Sequence, residues 1–194
     1  MTPRDPTELP KDLPIPADDG AADHLEGMRL PSIELPSTND GTLDLGGVTG
    51  TLVVYVYPKA GRPGIDPPPE WDAIPGARGC TPQSCAFRDH HAELRDLGAT
   101  VVGLSTQRTE EQQAFVADQH LPFTLVSDEN LDFTRALNLP TFEFDDVTLL
   151  KRITLIARDG EIVKVFYPVF PPDRNAQDVI DWLALSSSRG KGEA

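Results

Sequence analysis

Apolar residues recur along this chain in two rhythms, short strand-like runs and longer stretches at helical spacing. The run Thr51-Leu52-Val53-Val54-Tyr55-Val56-Tyr57 is apolar almost throughout, which predicts a strand covered on both faces. Before it, Ser32–Leu35 reads as a short strand, and Asn39-Asp40-Gly41 as a hairpin turn into Thr42–Leu45. After it, a helix is predicted from Thr81 to Leu97, with Thr81 as N-cap, Pro82 at the first helical position and Gly98 as C-cap. Then follow a strand at Thr100–Leu104, a helix at Thr109–Gln119, a strand at Phe123–Val126 and a helix at Glu129–Leu137. Strands at Arg152–Ala157 and Glu161–Phe166 flank an Asp159-Gly160 turn, and an amphipathic helix at Ala176–Leu185 closes the pattern. Strands alternating with helices and ending in a hairpin predict an α/β sandwich with a mixed central sheet.

Three segments lack either rhythm. Residues 1–27 are rich in Pro, Asp and Glu and read as a disordered acidic arm. The folded domain is expected over 28–185, with 186–194 a flexible tail. Inside the domain, Lys59 to Arg78 carries five prolines and three glycines around Trp71. A connection this long without an element of its own points to function, and it is expected to form an ordered flap over the site.

Composition narrows the partners. Over 194 residues the formal net charge is -14, which argues against nucleic acid and anionic membrane, since both are bound through basic patches. No apolar run approaches the roughly 18 residues of a membrane span, and Met1 to Gly27 has neither a basic start nor an apolar core of a signal peptide. A cytoplasmic location is expected, as a monomer or a dimer. In a reducing compartment a pair of cysteines points to catalysis or metal rather than to a permanent staple. A metal site is not expected, because His90 and His91 are spread by the helix away from the cysteines.

Cys80 and Cys85 are the only two cysteines. A thiol attacks as its thiolate, and Cys80 sits at the helix start, where unpaired N–H groups and the macrodipole favour negative charge. Arg78, Arg88 and Arg152 are the candidate cations. Cys85 falls deeper in the helix, so Cys80 is the candidate nucleophile and Cys85 the candidate resolving thiol. Five helical positions separate the Cα atoms by about 8.7 Å, whereas a disulfide spans roughly 4.4–6.8 Å. A bridge between them would require the first turn to unwind. His90, His91 and the Phe166–Pro172 run are assigned solvent-facing and packing roles, and Glu110-Glu111 a charged first turn.

Tyr57-Pro58-Lys59, Gly79-Cys80-Thr81, Cys85 and Phe87-Arg88-Asp89 together resemble the peroxiredoxin Q group, also called bacterioferritin comigratory proteins. The likeness continues through Val102–Thr106, Phe123–Asp128, Arg152–Ile156 and Asp159–Ile162, covering about residues 30 to 185. The resemblance implies a thioredoxin-like three-layer sandwich and a thiol peroxidase without metal or prosthetic group. It makes Cys80 the peroxidatic and Cys85 the resolving cysteine, joined in an intramolecular disulfide that a thioredoxin-like donor reduces. Arg152 matches the arginine that holds thiolate and peroxide, and Pro58 the proline that shields the site. The chain departs from the group in two places. Ala77 stands where the group has Thr or Ser, and the Lys59–Arg78 segment is expanded. Two other uses of the same pair remain open at this point, a non-catalytic redox sensor and a disulfide oxidoreductase.

Overall fold

The apolar run at 51–57 lies at the centre of a five-stranded sheet in the computed structural model, which describes residues 8–62, 65 and 67–190. In chain order the elements begin with an antiparallel pair, β1 (Glu34–Pro36) and β2 (Thr42–Asp44), then β3 (Thr51–Val56). Next come α1 (Pro69–Asp72), α2 (Cys80–Asp89), α3 (His91–Asp96), β4 (Ala99–Ser105), α4 (Thr109–Gln119), β5 (Thr124–Ser127) and α5 (Asp132–Leu137). The chain ends with β6 (Thr141–Phe144), β7 (Val147–Leu150), β8 (Ile153–Arg158), β9 (Glu161–Phe166) and α6 (Asn175–Gly190). The main sheet has the order β5-β4-β3-β8-β9, with β3, β4 and β5 parallel and β8 and β9 antiparallel to their neighbours. This is the mixed α/β sheet expected, in a thioredoxin-like arrangement.

Side chains alternate across the central strand because successive residues point to opposite faces. Leu52, Val54 and Val56 pack with Phe133 and Leu137 of α5 and with Leu25. Val53, Tyr55 and Tyr57 pack with Phe87, Leu94, Phe115 and Val179 from α2, α3, α4 and α6. Burying each such large side chain contributes roughly 1.5–3 kcal/mol, and both faces are covered, so the strand reads as continuously apolar. The two hairpin turns form as expected, with Asp40 and Gly41, and Asp159 and Gly160, all at positive φ.

The ends of the chain differ from expectation. Residues 8–27 are not a disordered arm: Leu25 is fully buried and Ala22 nearly so, both in the core. Asp19 accepts from Lys151 Nζ at 2.6 Å and from the Tyr167 hydroxyl at 2.8 Å. A few apolar residues among many prolines suffice here because the domain supplies the rest of the packing surface. Residues 1–7 lie outside the described residues. At the other end α6 continues to Gly190, so the expected tail at 186–194 is helical as far as it is described.

The long helix expected at 81–97 is two helices. It breaks at His90 (φ -98°, ψ 8°), whose N–H reaches both Ala86 and Arg88 carbonyls. The first begins at Cys80 and not Thr81, with Gly79 as its N-cap at φ 107°. A Cβ on Gly79 would lie 2.3 Å from Pro172 Cγ, so both the φ and the contact require glycine. Pro82 keeps to the first turn, where a missing N–H leaves no helical bond unmade. Gly98 follows α3 at φ 79°, its N–H bonded to Arg95 O. The β6–β7 hairpin has no counterpart in the predicted pattern, although its turn residues Asp145 and Asp146 (φ 55° and 59°) carry a usable signal.

Candidate active site

Cys80 is the first residue of α2 and 4% exposed. Its position follows from local rules. Gly79 lets the chain turn sharply into the helix, and Pro172 of the connection after β9 closes against that glycine. The Phe166–Pro172 run therefore packs, as expected, and its end seats the reactive turn.

Arg152, just before β8, brings its guanidinium to the same place. One Nη donates to Cys80 Sγ at 3.3 Å, to Ala77 O at 3.1 Å and to Arg78 O at 3.2 Å. Its Nε donates to Gly76 O at 3.3 Å, and the other Nη to Gln83 Oε1. Arg152 is 3% exposed, yet every oxygen its guanidinium reaches is neutral. A buried cation surrounded by dipoles alone leaves most of its charge uncompensated. The sulfur of Cys80 is the one partner among these contacts that is not an oxygen.

Gln83 links this cluster to the last helix. Its Nε2 donates to Asn175 Oδ1 at 2.9 Å, and Thr154 Oγ1 donates to the same oxygen at 2.7 Å. All three are buried. Sequence reasoning missed them, though Gln83 carried a signal: it lies three residues after Cys80, on the same helix face. Asn175 and Thr154 had none, because only the fold brings them there.

Cys85 sits elsewhere on α2. It is 9% exposed, and its thiol donates to Gln119 Oε1 at 3.3 Å. Burial pushes this thiol above its ordinary pKa, and Arg88 offsets part of that rise. Arg88 therefore serves the Cys85 end and not Cys80, while Arg78 pairs with Asp72 at 3.5 Å beside the Cys80 opening. Both cysteines are free thiols on one regular helix. His90 bonds Glu93 and His91 packs on Phe123, so neither joins the site.

A cleft of about 310 Å³ opens onto Cys80. Its walls include Pro67, Pro68, Trp71, Phe144, Arg78 and Thr81. The 59–78 segment supplies much of this lining, so its described residues form a wall of the site. Trp71 is anchored against Phe142 and Phe144 of the β6–β7 hairpin. Ala77 is fully buried, and in place of a hydroxyl it offers its carbonyl oxygen to Arg152 and, at 3.7 Å, to the Cys80 thiol. Pro58 is buried at the end of β3.

A thioredoxin-like sheet that sets one thiol at a helix start against a buried guanidinium defines a thiol-based redox protein. The family model described as Redoxin matches residues 25–180. Peroxiredoxin Q, chloroplastic, from Populus jackii is 32% identical over 160 residues, covering 81% of this chain and 67% of that protein. Peroxiredoxin Bcp of Escherichia coli K12 is 32% identical over 162 residues, covering 81% of this chain and 94% of that protein. Among solved structures, peroxidoxin BcpB from Mycobacterium tuberculosis superposes with a TM-score of 0.68 at 23% identity, covering 82% of this chain and 96% of the other. The chain belongs to the redoxin family and is a peroxiredoxin of the Q/Bcp type, a thiol peroxidase. Among the described residues no helix is long and apolar enough to cross a membrane.

Proposed function

We propose that this chain reduces hydrogen peroxide or organic hydroperoxides through Cys80, Cys85 and Arg152, acting in the cytoplasm with a thioredoxin-like dithiol as reductant. The observation that carries the reading is the Arg152 guanidinium, surrounded by neutral acceptors and 3.3 Å from the sulfur of Cys80, a residue that lines the cleft. The Cys80 thiolate attacks one peroxide oxygen. An S–O bond forms, the O–O bond breaks, and the leaving oxygen takes the electron pair and a proton as alcohol or water. Arg152 Nη supports the negative charge as it moves from sulfur to oxygen.

The Cys85 thiol then displaces the hydroxyl of the Cys80 sulfenic acid. An S–S bond forms, the S–O bond breaks, and the thiol proton leaves with the hydroxyl as water. With both cysteines on a regular helix, that step requires the turns between them to open, because helical spacing holds the Cα atoms about 8.7 Å apart. The dithiol donor reduces the bridge by exchange and is itself oxidised to a disulfide. The cleft, with its apolar walls, has room for an organic group on the peroxide.

Steady-state peroxide consumption with a thiol reductant tests the assignment. Cys80→Ser is expected to fall to the uncatalysed rate. Cys85→Ser is expected to consume one equivalent and then stall with a dithiol donor. A parent protein that also stopped after one equivalent would be a sensor and not a peroxidase, and an active Cys80→Ser variant would overturn the role of Cys80.

A further inference from the structure

The two thiols differ in what each is bonded to, and the bonds around Cys85 form a unit of their own. Gln119 is the last residue of α4. Its Nε2 is turned to the Asp118 carboxylate, so its Oε1 faces Cys85 and accepts at 3.3 Å. An amide oxygen can only accept, so the hydrogen must come from the sulfur. The same residue is held a second time, because Arg88 of α2 donates Nη to Gln119 O at 2.9 Å. That carbonyl lies at the helix C-terminus, where intrahelical partners run out and a cation is favourable. Cys85 thus holds the side chain of Gln119, and Arg88, one turn later, holds its backbone.

We propose that Gln119 and Arg88 form a latch on the resolving cysteine, which sets how long the Cys80 sulfenic acid survives before the disulfide closes. The inference rests on the peroxidatic and resolving roles proposed above. Gln119 is a positioning residue in this scheme, since it touches neither peroxide nor Cys80.

The latch acts in two ways. Its Gln119 half accepts from the Cys85 thiol and so favours the neutral form, which does not attack. It also ties Cys85 to α4, so Cys85 cannot turn toward Cys80 until its bond to Gln119 breaks, while the Arg88 bond keeps Gln119 in place. Other charges facing Cys85 are Asp89 from its own helix and Asp118 from α4, both opposing a thiolate, and the Arg88 cation, favouring it. The sulfenic acid that waits can react with a second peroxide. In that step a second S–O bond forms, the peroxide O–O bond breaks, and the products are Cys80 sulfinic acid and an alcohol or water. Holding Cys85 back therefore shifts product from disulfide toward sulfinic acid as peroxide rises.

The test is a single turnover of the full chain with one equivalent of hydrogen peroxide, following Cys80–Cys85 disulfide by quenched mass spectrometry. Sulfinic acid is measured in parallel under excess peroxide. Gln119→Ala is expected to close the disulfide about five- to tenfold faster, the factor carried by one hydrogen bond. Its sulfinic fraction should fall correspondingly, with the initial oxidation of Cys80 unchanged. Gln119→Glu restores an acceptor, here a carboxylate, and is expected to be as slow as the parent or slower. Closure by Gln119→Ala within twofold of the parent would overturn the latch. So would a Gln119→Glu as fast as Gln119→Ala, because simple loosening of α4 would then explain the gain. If the parent itself forms no Cys80–Cys85 bridge, the underlying assignment fails and the latch with it, a result distinct from both.

Discussion

The two ends of α2 hold chemically identical side chains in opposite electrostatic settings. Cys80 and Cys85 are both nearly buried, so burial does not distinguish them. At the Cys80 end the sulfur accepts from a guanidinium whose other partners are all neutral oxygens. At the Cys85 end the sulfur donates to a neutral amide, and its pKa is raised by burial. The difference teaches that the partner, a guanidinium at Cys80 and a neutral amide at Cys85, separates the two thiols more than exposure does.

Removing the charge at the Cys80 end is the severest way to break this comparison. Arg152→Met is expected to lower kcat/KM for peroxide by about 10²–10³, the range for losing one preorganised donor at a developing charge. A variant within threefold of the parent would mean that the asymmetry of the two ends does not depend on Arg152.

A smaller effect is expected between the two ends. Gln83→Leu deletes the link from Arg152 to Asn175, leaving one buried Nη of Arg152 without its acceptor, while Asn175 Oδ1 keeps Thr154. Such a loss costs about 1–3 kcal/mol, so urea unfolding should shift to lower concentration while activity falls less than in Arg152→Met. Unchanged stability together with lost activity would place Gln83 in the chemistry and not in its support.

The smallest effect is expected outside the helix, where Asp19 docks the N-terminal segment on Lys151, next to Arg152. The Lys151 bond, and after it the Tyr167 hydroxyl, hold the Asp19 carboxyl well below the usual carboxylate range, and Lys151 is raised above its own. A depressed carboxylate contributes stability above its unfolded pKa, about 3.9, and loses it as pH falls through the folded value. A raised lysine contributes below about 10.4 and loses that contribution as pH rises through its folded value. The docking should therefore be flat across neutral pH. Asp19→Asn is expected to increase amide exchange across 8–27 several-fold, with turnover within about twofold, as befits an exposed pair. A larger drop in turnover would extend the Cys80 environment to the N-terminal segment.

Much of this fold is legible in the order of the residues alone. The apolar run of β3, the Asn-Asp-Gly and Asp-Gly turns, α4 and the β8–β9 hairpin lie where periodicity predicts them, because their signals are local. The cysteines and Arg152 are legible as chemistry, the last through resemblance. Composition is what misleads. A proline- and acid-rich segment reads as disordered when judged alone, yet Leu25 and Asp19 dock on a surface built by residues more than a hundred positions away. The break at His90 and the turn of α1 are illegible for a related reason, since short elements carry too few residues for a period.

The sequence by itself determined the class of fold, the two thiols, their five-residue separation and hence that a bridge between them would require the helix to open. Those depend on spacing along one element, which backbone geometry converts directly into distance. Only the tertiary structure decided which arginine serves which thiol, that Gln83 anchors the guanidinium, and that Gln119 holds Cys85. These bonds join α2 to residues 31 to 92 positions away, and no local rule reaches across such separations.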